Sequence, residues 1–315
     1  MFNTSILCDW VVPPHDFSYQ VENYVIPPEI RTEDSLSNVV RIGRHVVLVK
    51  VSSIGKSDEP LLRAEVTSFD PMCDKEIEDI KRGIDRWLGL SDDLKPFYAI
   101  VNNDPVMRTA IKMRHGAKDK ANFSPFEAVI STVCAQNVQF KRLYGMMGNM
   151  CNRFGDKVSM NNITYSAFPT SYALANCSLE ELRACKVGYR ADYIKSIAES
   201  VEDGLVDFDS LQHLPYEEGK RQLLKLHGVG PYTADLCLIL GFRKKDIFHL
   251  DLYVREALWQ FYFKGQHVTD DVLRDFVNNR WPGYQGWAIA MLTTNTEALA
   301  ARLGVAFRLK SGATI

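Results

Sequence analysis

The hydrophobic rhythm of the chain changes near residue 70. Residues 39–51 (VVRIGRHVVLVKV) and 61–69 (LLRAEVTSF) are rich in β-branched side chains and partly alternate apolar with polar, as half-buried strands do. Gly43 and the segment SSIGKSDEP (52–60) supply turn chemistry between them. From Asp74 onward apolar residues recur at helical spacing, over 76–88, 94–114 and a long stretch at 123–154. Ser124-Pro125 opens that stretch as an N-cap followed by proline in the first turn. Shorter helices are predicted over 169–176, 178–185 and 189–203, with Pro169, Gly188, Gly204 and Pro215 marking the gaps. The pattern contains no internal repeat and no low-complexity segment. It predicts an α+β protein: an N-terminal α+β domain with a small antiparallel sheet over 1–115, then an all-helical domain over 116–315.

Composition narrows the class without naming a function. Apolar residues make up 46% of the chain and charged residues 24%, ordinary values for a soluble globular protein. No apolar run reaches the roughly 18 residues needed to span a bilayer. The N-terminal MFNTSILCDWVVPPHDF has no basic region ahead of an apolar core, which argues against a secretory signal. An intracellular monomer without membrane contact is expected, cytoplasmic in a prokaryote and nuclear in a eukaryote. The seven cysteines (Cys8, Cys73, Cys134, Cys151, Cys177, Cys185 and Cys237) are odd in number and widely spaced, with no C-x2-C pair. They read as reduced, mostly buried thiols, neither a disulfide framework nor a metal or iron–sulfur site.

The formal net charge is −2, where a nucleic-acid protein is more often basic, but binding depends on where charge lies. Arg108, Lys112, Arg114, Lys118 and Lys120 fall in one short stretch, and Lys220, Arg221 and Lys225 in another. A solvated helix face is the plainer reading of either.

The informative region runs from Pro215 to Leu258. Helical stretches at 216–226 and 231–242 are joined only by His227-Gly228-Val229-Gly230, where a tight turn needs glycine for positive φ or close backbone approach. Pro231 suits the first turn of the second helix. Such a turn leaves amides pointing outward from a helix N-terminus, an anion site that fits a DNA phosphate without sequence preference. The pattern L-x-G-V-G-x-x-T-A, from Leu226 to Ala234, is far more specific than two glycines, although an ordinary αα-hairpin would also accommodate it. After the second helix come Arg243-Lys244-Lys245, the run Ile247-Phe248 and then His249-Leu250-Asp251, with a new helix predicted from Leu252. Asp251 therefore opens a helix close to the candidate phosphate site. As a plain N-cap it needs no further role. As a functional group it would face C1′ of a sugar, where negative charge stabilises oxocarbenium character and a carboxylate orients or deprotonates water. One residue can do both.

This segment resembles the signature of the helix-hairpin-helix (HhH-GPD) DNA glycosylase superfamily, which includes endonuclease III, 8-oxoguanine glycosylase and the alkyladenine-type enzyme (3-methyladenine DNA glycosylase II). Family members follow the hairpin with an essential aspartate that opens a helix. Asp251 holds that position; Asp246 competes, but D-L-Y-V-R (251–255) matches the family's pattern. SPFEAVISTVCAQN (124–137) resembles the family's first core helix and the minor-groove loop that ends it, and Phe168-Pro169-Thr170 and Gly188-Tyr189-Arg190-Ala191 match further landmarks. Trp281-Pro282 and Trp287-Ala288 resemble the C-terminal helix that closes the pocket.

The resemblance implies a monofunctional glycosylase of base excision repair that flips a damaged, alkylated base out of double-stranded DNA and hydrolyses its bond to the sugar. Asp251 would be catalytic. Gly228, Val229, Gly230, Thr233 and Lys225 would hold the DNA backbone; Tyr232, Trp287 and Phe126 would line the base pocket. Bifunctional members carry a Schiff-base lysine at the position of Tyr232, so water is the expected nucleophile, unless a lysine such as Lys225 or Lys244 substitutes. Aromatic faces in alkyladenine-type pockets attract cationic bases; a second pocket tryptophan of the bacterial enzyme falls near Thr293 here, a departure Trp287 or Phe126 would have to offset. Gln136 and Asn137 fall where the family inserts a wedge into the gap left by the base, and an asparagine there resembles the 8-oxoguanine branch. No cysteine lies beyond Cys237, so the C-terminal iron–sulfur cluster of the endonuclease III branch is not expected. No cofactor is implied, with a structural monovalent cation at the hairpin left open. The alternatives are an 8-oxoguanine or other lesion-specific glycosylase, an inactive helix-hairpin-helix DNA-binding module, and a helical scaffold for protein partners.

Overall fold

A computed structural model of the protein describes residues 1–307 apart from residue 161. The N-terminal part is a five-stranded antiparallel sheet in the order β1-β5-β4-β3-β2. Its strands are β1 (Phe2–Cys8), β2 (Ile30–Arg31), β3 (Ser35–Ile42), β4 (His45–Ser53) and β5 (Leu62–Ser68). The two predicted strand segments become β3, β4 and β5, with Gly43 at φ +55° in the turn between β3 and β4. On one face Val49 pairs with Val66 and Val51 with Ala64, all essentially buried. That face packs on α1 (Phe17–Glu22) and α2 (Asp74–Leu88) through Phe17, Ile80, Ile84 and Trp87.

The opposite face is covered as well. A second hairpin, β6 (Lys157–Met160) and β7 (Ile163–Ser166), lays Val158 and Met160 on Val39 and Leu48. Burial on both faces explains why 39–51 reads as a nearly continuous apolar run rather than a clean alternation.

The remaining chain is helical: α3 (Lys95–Val101), α4 (Pro105–Met113), α5 (Pro125–Ala135), α6 (Phe140–Phe154), α7 (Ser171–Asn176), α8 (Leu179–Ala184), α9 (Arg190–Glu202), α10 (Phe208–His213), α11 (Tyr216–Leu223), α12 (Pro231–Phe242), α13 (Leu252–Tyr262), α14 (Asp270–Arg280), α15 (Gln285–Thr293) and α16 (Thr296–Leu303). None of them is long and apolar enough to cross a membrane, among the described residues. Two predicted helices are each divided. The stretch 94–114 breaks at Asp104-Pro105, where the Asp104 carboxylate accepts the amides of Val106 and Met107 and starts α4. The stretch 123–154 breaks at 136–139, between α5 and α6, where Asn137 sits at φ +51°.

Two apolar cores organise the helices. One joins α5, α6, α9, α11 and α12 through Val129, Met147, Ile194, Leu223 and Leu238. The other joins α3 and α4 to α13–α16 through Phe97, Met107, Leu258, Leu273 and Leu292. Residues 95–113, assigned by sequence to the N-terminal domain, therefore contribute to the C-terminal core. Asp104 ties them there, since its second oxygen accepts from Tyr262 at 3.0 Å and from Arg280 at 2.8 Å. The site lies where the two cores meet. All seven cysteines are free thiols, and all but Cys73 are buried.

Candidate active site

The hairpin is α11, a tight turn and α12. Gly228 has φ +84°, and a Cβ there would stand 2.3 Å from the Tyr193 ring, so turn and neighbour both demand glycine. Gly230 differs from expectation. Its φ of −87° is open to any residue, and nothing lies within 4 Å of a Cβ built on it. Its missing side chain instead leaves the N-terminus of α12 open, with no side-chain cap over the first-turn amides of Tyr232 and Thr233. Val229 is buried, as is Thr233. Lys225 is exposed and donates to Gln222 at 2.7 Å. Lys220 is consumed internally, with Asp235 at 2.8 Å and the Tyr216 hydroxyl at 2.7 Å, while Arg221 pairs with Glu218. The hairpin carbonyls of Leu226 and Gly228 accept from the Val229 amide and the Gln136 side chain.

Asp251 caps α13, its Oδ1 accepting the Val254 amide at 2.7 Å. Oδ2 stands 3.5 Å from Nε2 of His249. Burial pushes the carboxyl upward, but the His249 side chain and the amides of Val254 and Tyr253 outweigh it and hold Asp251 below the usual aspartate range. It is thus an ionised group fixed at a helix N-terminus. Asp246, the competitor, is exposed and off the cavity.

Asp251 forms part of the wall of a cavity of about 550 Å³ between α12, α13, α15 and the N-terminal α1. His249, Phe248 and Trp287 line it too, as does Thr293. Lys245 Nζ lies 5.9 Å from the centre of the Trp287 ring. Of the three expected pocket aromatics, Trp287 is in the wall. Tyr232 is not among the lining residues: half-exposed, it meets the ring of the lining residue His249 edge-on at 5.0 Å, near enough for burial and the Asp251 charge to raise its phenol. Phe126, expected in the pocket, is not among the lining residues. It packs into the helical core against Phe168, ring centres 6.1 Å apart, because its position on α5 faces the core.

The wedge pair also divides. Gln136 is not free to insert, since its side-chain amide donates to the Gly228 carbonyl at 2.8 Å and the Thr233 hydroxyl at 3.1 Å, and its backbone carbonyl accepts from Arg190. Asn137 is exposed on the turn beside it.

Sequence reasoning missed the far wall. Tyr19, Arg114, Asp119 and Lys245 all line the cavity. The basic stretch around 108–120 divides: Arg108 and Lys112 are exposed on α4, as a solvated face would be, but Arg114, Lys118 and Lys120 are not. Lys118 is buried, donating to the carbonyls of Val12 and Leu90; Lys120 is buried against Glu29 at 2.7 Å. Burial and Arg243 lower the Lys245 amine to about 8, against the opposing charges of Asp92 and Asp119. The alternation of charge with apolar residues in KMRHGAKDK was the available signal, but only the packing of α1 on this segment turns it into a wall.

Comparison with known proteins gives a consistent result. The model of the HhH-GPD superfamily of base excision DNA repair proteins matches residues 130–282. A DNA-3-methyladenine glycosylase of Bacillus subtilis (strain 168) is 25% identical over 234 residues, 74% of this chain and 73% of that protein. A probable N-glycosylase/DNA lyase of Methanothermobacter thermautotrophicus is 25% identical over 268 residues, 79% of this chain and 84% of the relative. In structure, a 3-methyladenine DNA-glycosylase from Archaeoglobus fulgidus superposes with a TM-score of 0.77 at 21% identity, covering 96% of this chain and 99% of that one. The last likeness extends to the N-terminal sheet, which the family model does not reach.

Proposed function

The chain belongs to the HhH-GPD superfamily and is a DNA glycosylase of base excision repair; on that premise we propose that it is monofunctional, excising alkylated bases from duplex DNA with Asp251 and water. The observation that carries this reading is the placement of an ionised, helix-capped Asp251 in the wall of an aromatic-lined cavity, with Tyr232 of the open α12 N-terminus against its neighbour His249.

The open amides of α12 receive a phosphate, with Gly228 and Gly230 allowing the backbone to approach and Lys225 adding charge. Buried Val229 and Thr233 hold the turn rather than touch DNA themselves. Asn137 enters the duplex as the damaged nucleotide leaves the stack, offsetting an unstacking cost of a few kcal/mol. The base stacks in the cavity along Trp287, with Tyr232 nearby against the lining residue His249. Its sugar carbon then faces Asp251. As the C1′–N bond lengthens, the base departs with the bonding pair; the carboxylate stabilises positive charge on the sugar, orients water for attack on C1′, and takes the proton that water loses before passing it to solvent. An alkylated base already carries positive charge and leaves without strong acid catalysis. No cofactor takes part. Tyr232 at the lysine position of bifunctional relatives leaves water as nucleophile.

A second reading, a glycosylase with lyase activity on 8-oxoguanine or another lesion, has one observation in its favour: Lys245 brings an amine of lowered basicity to the cavity wall. Lys225 and Lys244 do not serve it, since Lys225 lies on the surface and Lys244 donates to the carbonyls of Gln212 and Leu214. The deciding experiment is a panel of duplexes bearing 3-methyladenine, 1-methyladenine, hypoxanthine, 8-oxoguanine or uracil. Release of the methylated bases is expected. Release of 8-oxoguanine with strand cleavage would establish the second reading, and release of none would remove both.

A further inference from the structure

Asp119 lies outside the span matched by the family model, yet it reaches the cavity that holds Asp251. Its Oδ1 accepts the Tyr19 hydroxyl at 2.7 Å. Burial and the Asp119 charge push the Tyr19 phenol far up, so Tyr19 stays a neutral donor and keeps the carboxylate in place. The other oxygen has no protein partner among the described residues, and no cation lies within ion-pairing distance of it.

That isolation is unusual given how many basic groups surround Asp119. Lys118 is spent on the carbonyls of Val12 and Leu90, and Lys120 on Glu29. Arg243 pairs with Asp92 and reaches only the backbone carbonyl of Asp119. Arg114 lines the same cavity, 5.2 Å from the Tyr19 ring, and its Nη1 is buried without a hydrogen-bond partner. A buried guanidinium nitrogen left unpaired in the same wall as a half-used carboxylate describes a wall that is not satisfied by the protein itself. Two lysines on that wall also have no ion pair among the described residues: Lys118, held by backbone carbonyls, and Lys245, which lies over Trp287.

We propose that Asp119 is the specificity-determining carboxylate of the cavity, selecting flipped bases that carry positive charge or present an amino group, with Tyr19 as its positioning residue. A carboxylate facing a cationic heteroaromatic ring in a partly desolvated cavity attracts it, and an N–H edge satisfies the open oxygen. A neutral base with a carbonyl edge would place oxygen against oxygen there. Aromatic faces such as Trp287 attract a cation from above the ring, while Asp119 meets it at the edge. This rests on the glycosylase reading above and names its substrate class.

The test compares wild type with Asp119→Asn, which keeps shape and removes charge, at pH 6.5. Single-turnover excision is measured on duplexes with 3-methyladenine or 1-methyladenine and on duplexes with hypoxanthine or uracil. In parallel, tryptophan fluorescence reads the binding of 1-methyladenosine against adenosine. The ratio of methylated to neutral excision is expected to fall at least tenfold in Asp119→Asn, together with the preference for 1-methyladenosine. Tyr19→Phe, which leaves the charge in place, is expected to lower the same ratio less, through KM rather than kcat. Equal losses on both lesion groups, or a nucleoside preference untouched by Asp119→Asn, would overturn the proposal. If wild type excises no methylated base but Asp119 still governs 1-methyladenosine binding, the proposed function fails and the assignment of Asp119 stands.

Discussion

The side-chain amide of Gln136 donates a 2.8 Å hydrogen bond to the carbonyl of Gly228, joining the loop after α5 to the turn of the hairpin. Its second hydrogen bond, to Thr233, reaches the first turn of α12. A residue expected to leave the protein and enter DNA is thus part of the scaffold that fixes the phosphate site relative to the wedge loop. Asn137, beside it in a left-handed conformation, keeps a free exposed side chain.

The two neighbours are therefore expected to respond differently. Gln136→Ala leaves the buried Thr233 hydroxyl and the Gly228 carbonyl short of a donor and should destabilise the fold by about 1–2 kcal/mol. Asn137→Gly suits the positive φ and should leave stability within about 0.5 kcal/mol while slowing excision from duplex DNA. Thermal unfolding and single-turnover kinetics separate the two. Slower excision by Asn137→Gly should shrink on single-stranded substrate, where no stack needs filling; an equal loss there would remove Asn137 from the wedge role.

The hairpin glycines give a sharper pair. Gly228→Ala must adopt φ +84° and move the Tyr193 ring, so a loss of about 2 kcal/mol or more is expected, with weaker DNA binding as a consequence. Gly230→Ala meets open space at an ordinary φ. Its melting temperature should hardly change, yet a methyl group over the α12 amides should weaken binding of abasic duplex by tenfold or more. Unchanged binding by Gly230→Ala would mean that no phosphate comes that close.

What the sequence made legible follows from local chemistry. Ser124-Pro125, Gly228, Pro231 and Asp251 carry their structural roles in their own type and immediate neighbours, and α5, α12 and α13 start where they say. Helix continuity was misread where apolar periodicity runs across a break, at Asp104-Pro105 and at 136–139. Strand β1 was missed because FNTSILC is largely exposed and lacks alternation, and β2 because two residues carry no pattern. The far wall of the cavity was out of reach for another reason. Tyr19 and Asp119 meet across 100 residues, and Phe126 and Trp287 cannot be assigned to core or cavity until α5 and α15 are placed.

The pH dependence of catalysis should depend on His249. Asp251 is held below the usual aspartate range, so it stays ionised from neutral pH into mild acid; the stability its cap and His249 contribute is present above the unfolded value and lost as pH falls through the lowered one. His249→Phe keeps a ring against Tyr232 and removes the Nε2 contact. One support of the charged form disappears, the Asp251 pKa rises, and the acid limb of the excision profile should move to higher pH. Asp251→Asn should abolish excision by about 100-fold or more while retaining DNA binding. Because asparagine caps as well as aspartate, its melting temperature should stay near wild type, whereas Asp251→Ala should lose about 1 kcal/mol. Unchanged turnover by Asp251→Asn would take the residue out of the mechanism, and an acid limb unmoved by His249→Phe would show that another group sets it.

Water and an amine as nucleophiles leave different traces. Hydrolysis releases an abasic sugar with no covalent link to protein, whereas amine attack at C1′ forms an imine that borohydride reduces to a stable secondary amine. Tyr232 offers no amine at the hairpin, and Lys245 sits over Trp287 in the cavity with basicity lowered to about 8, so a fraction of it is uncharged at neutral pH. No adduct is expected when wild type and a methylated-base duplex are mixed with borohydride. An adduct that persists in Tyr232→Phe and vanishes in Lys245→Met would overturn the monofunctional assignment and identify Lys245 as the nucleophile. Without one, Lys245→Met should still excise, and substitution of Tyr232 by Lys should create a trappable imine if position 232 lies within reach of the sugar.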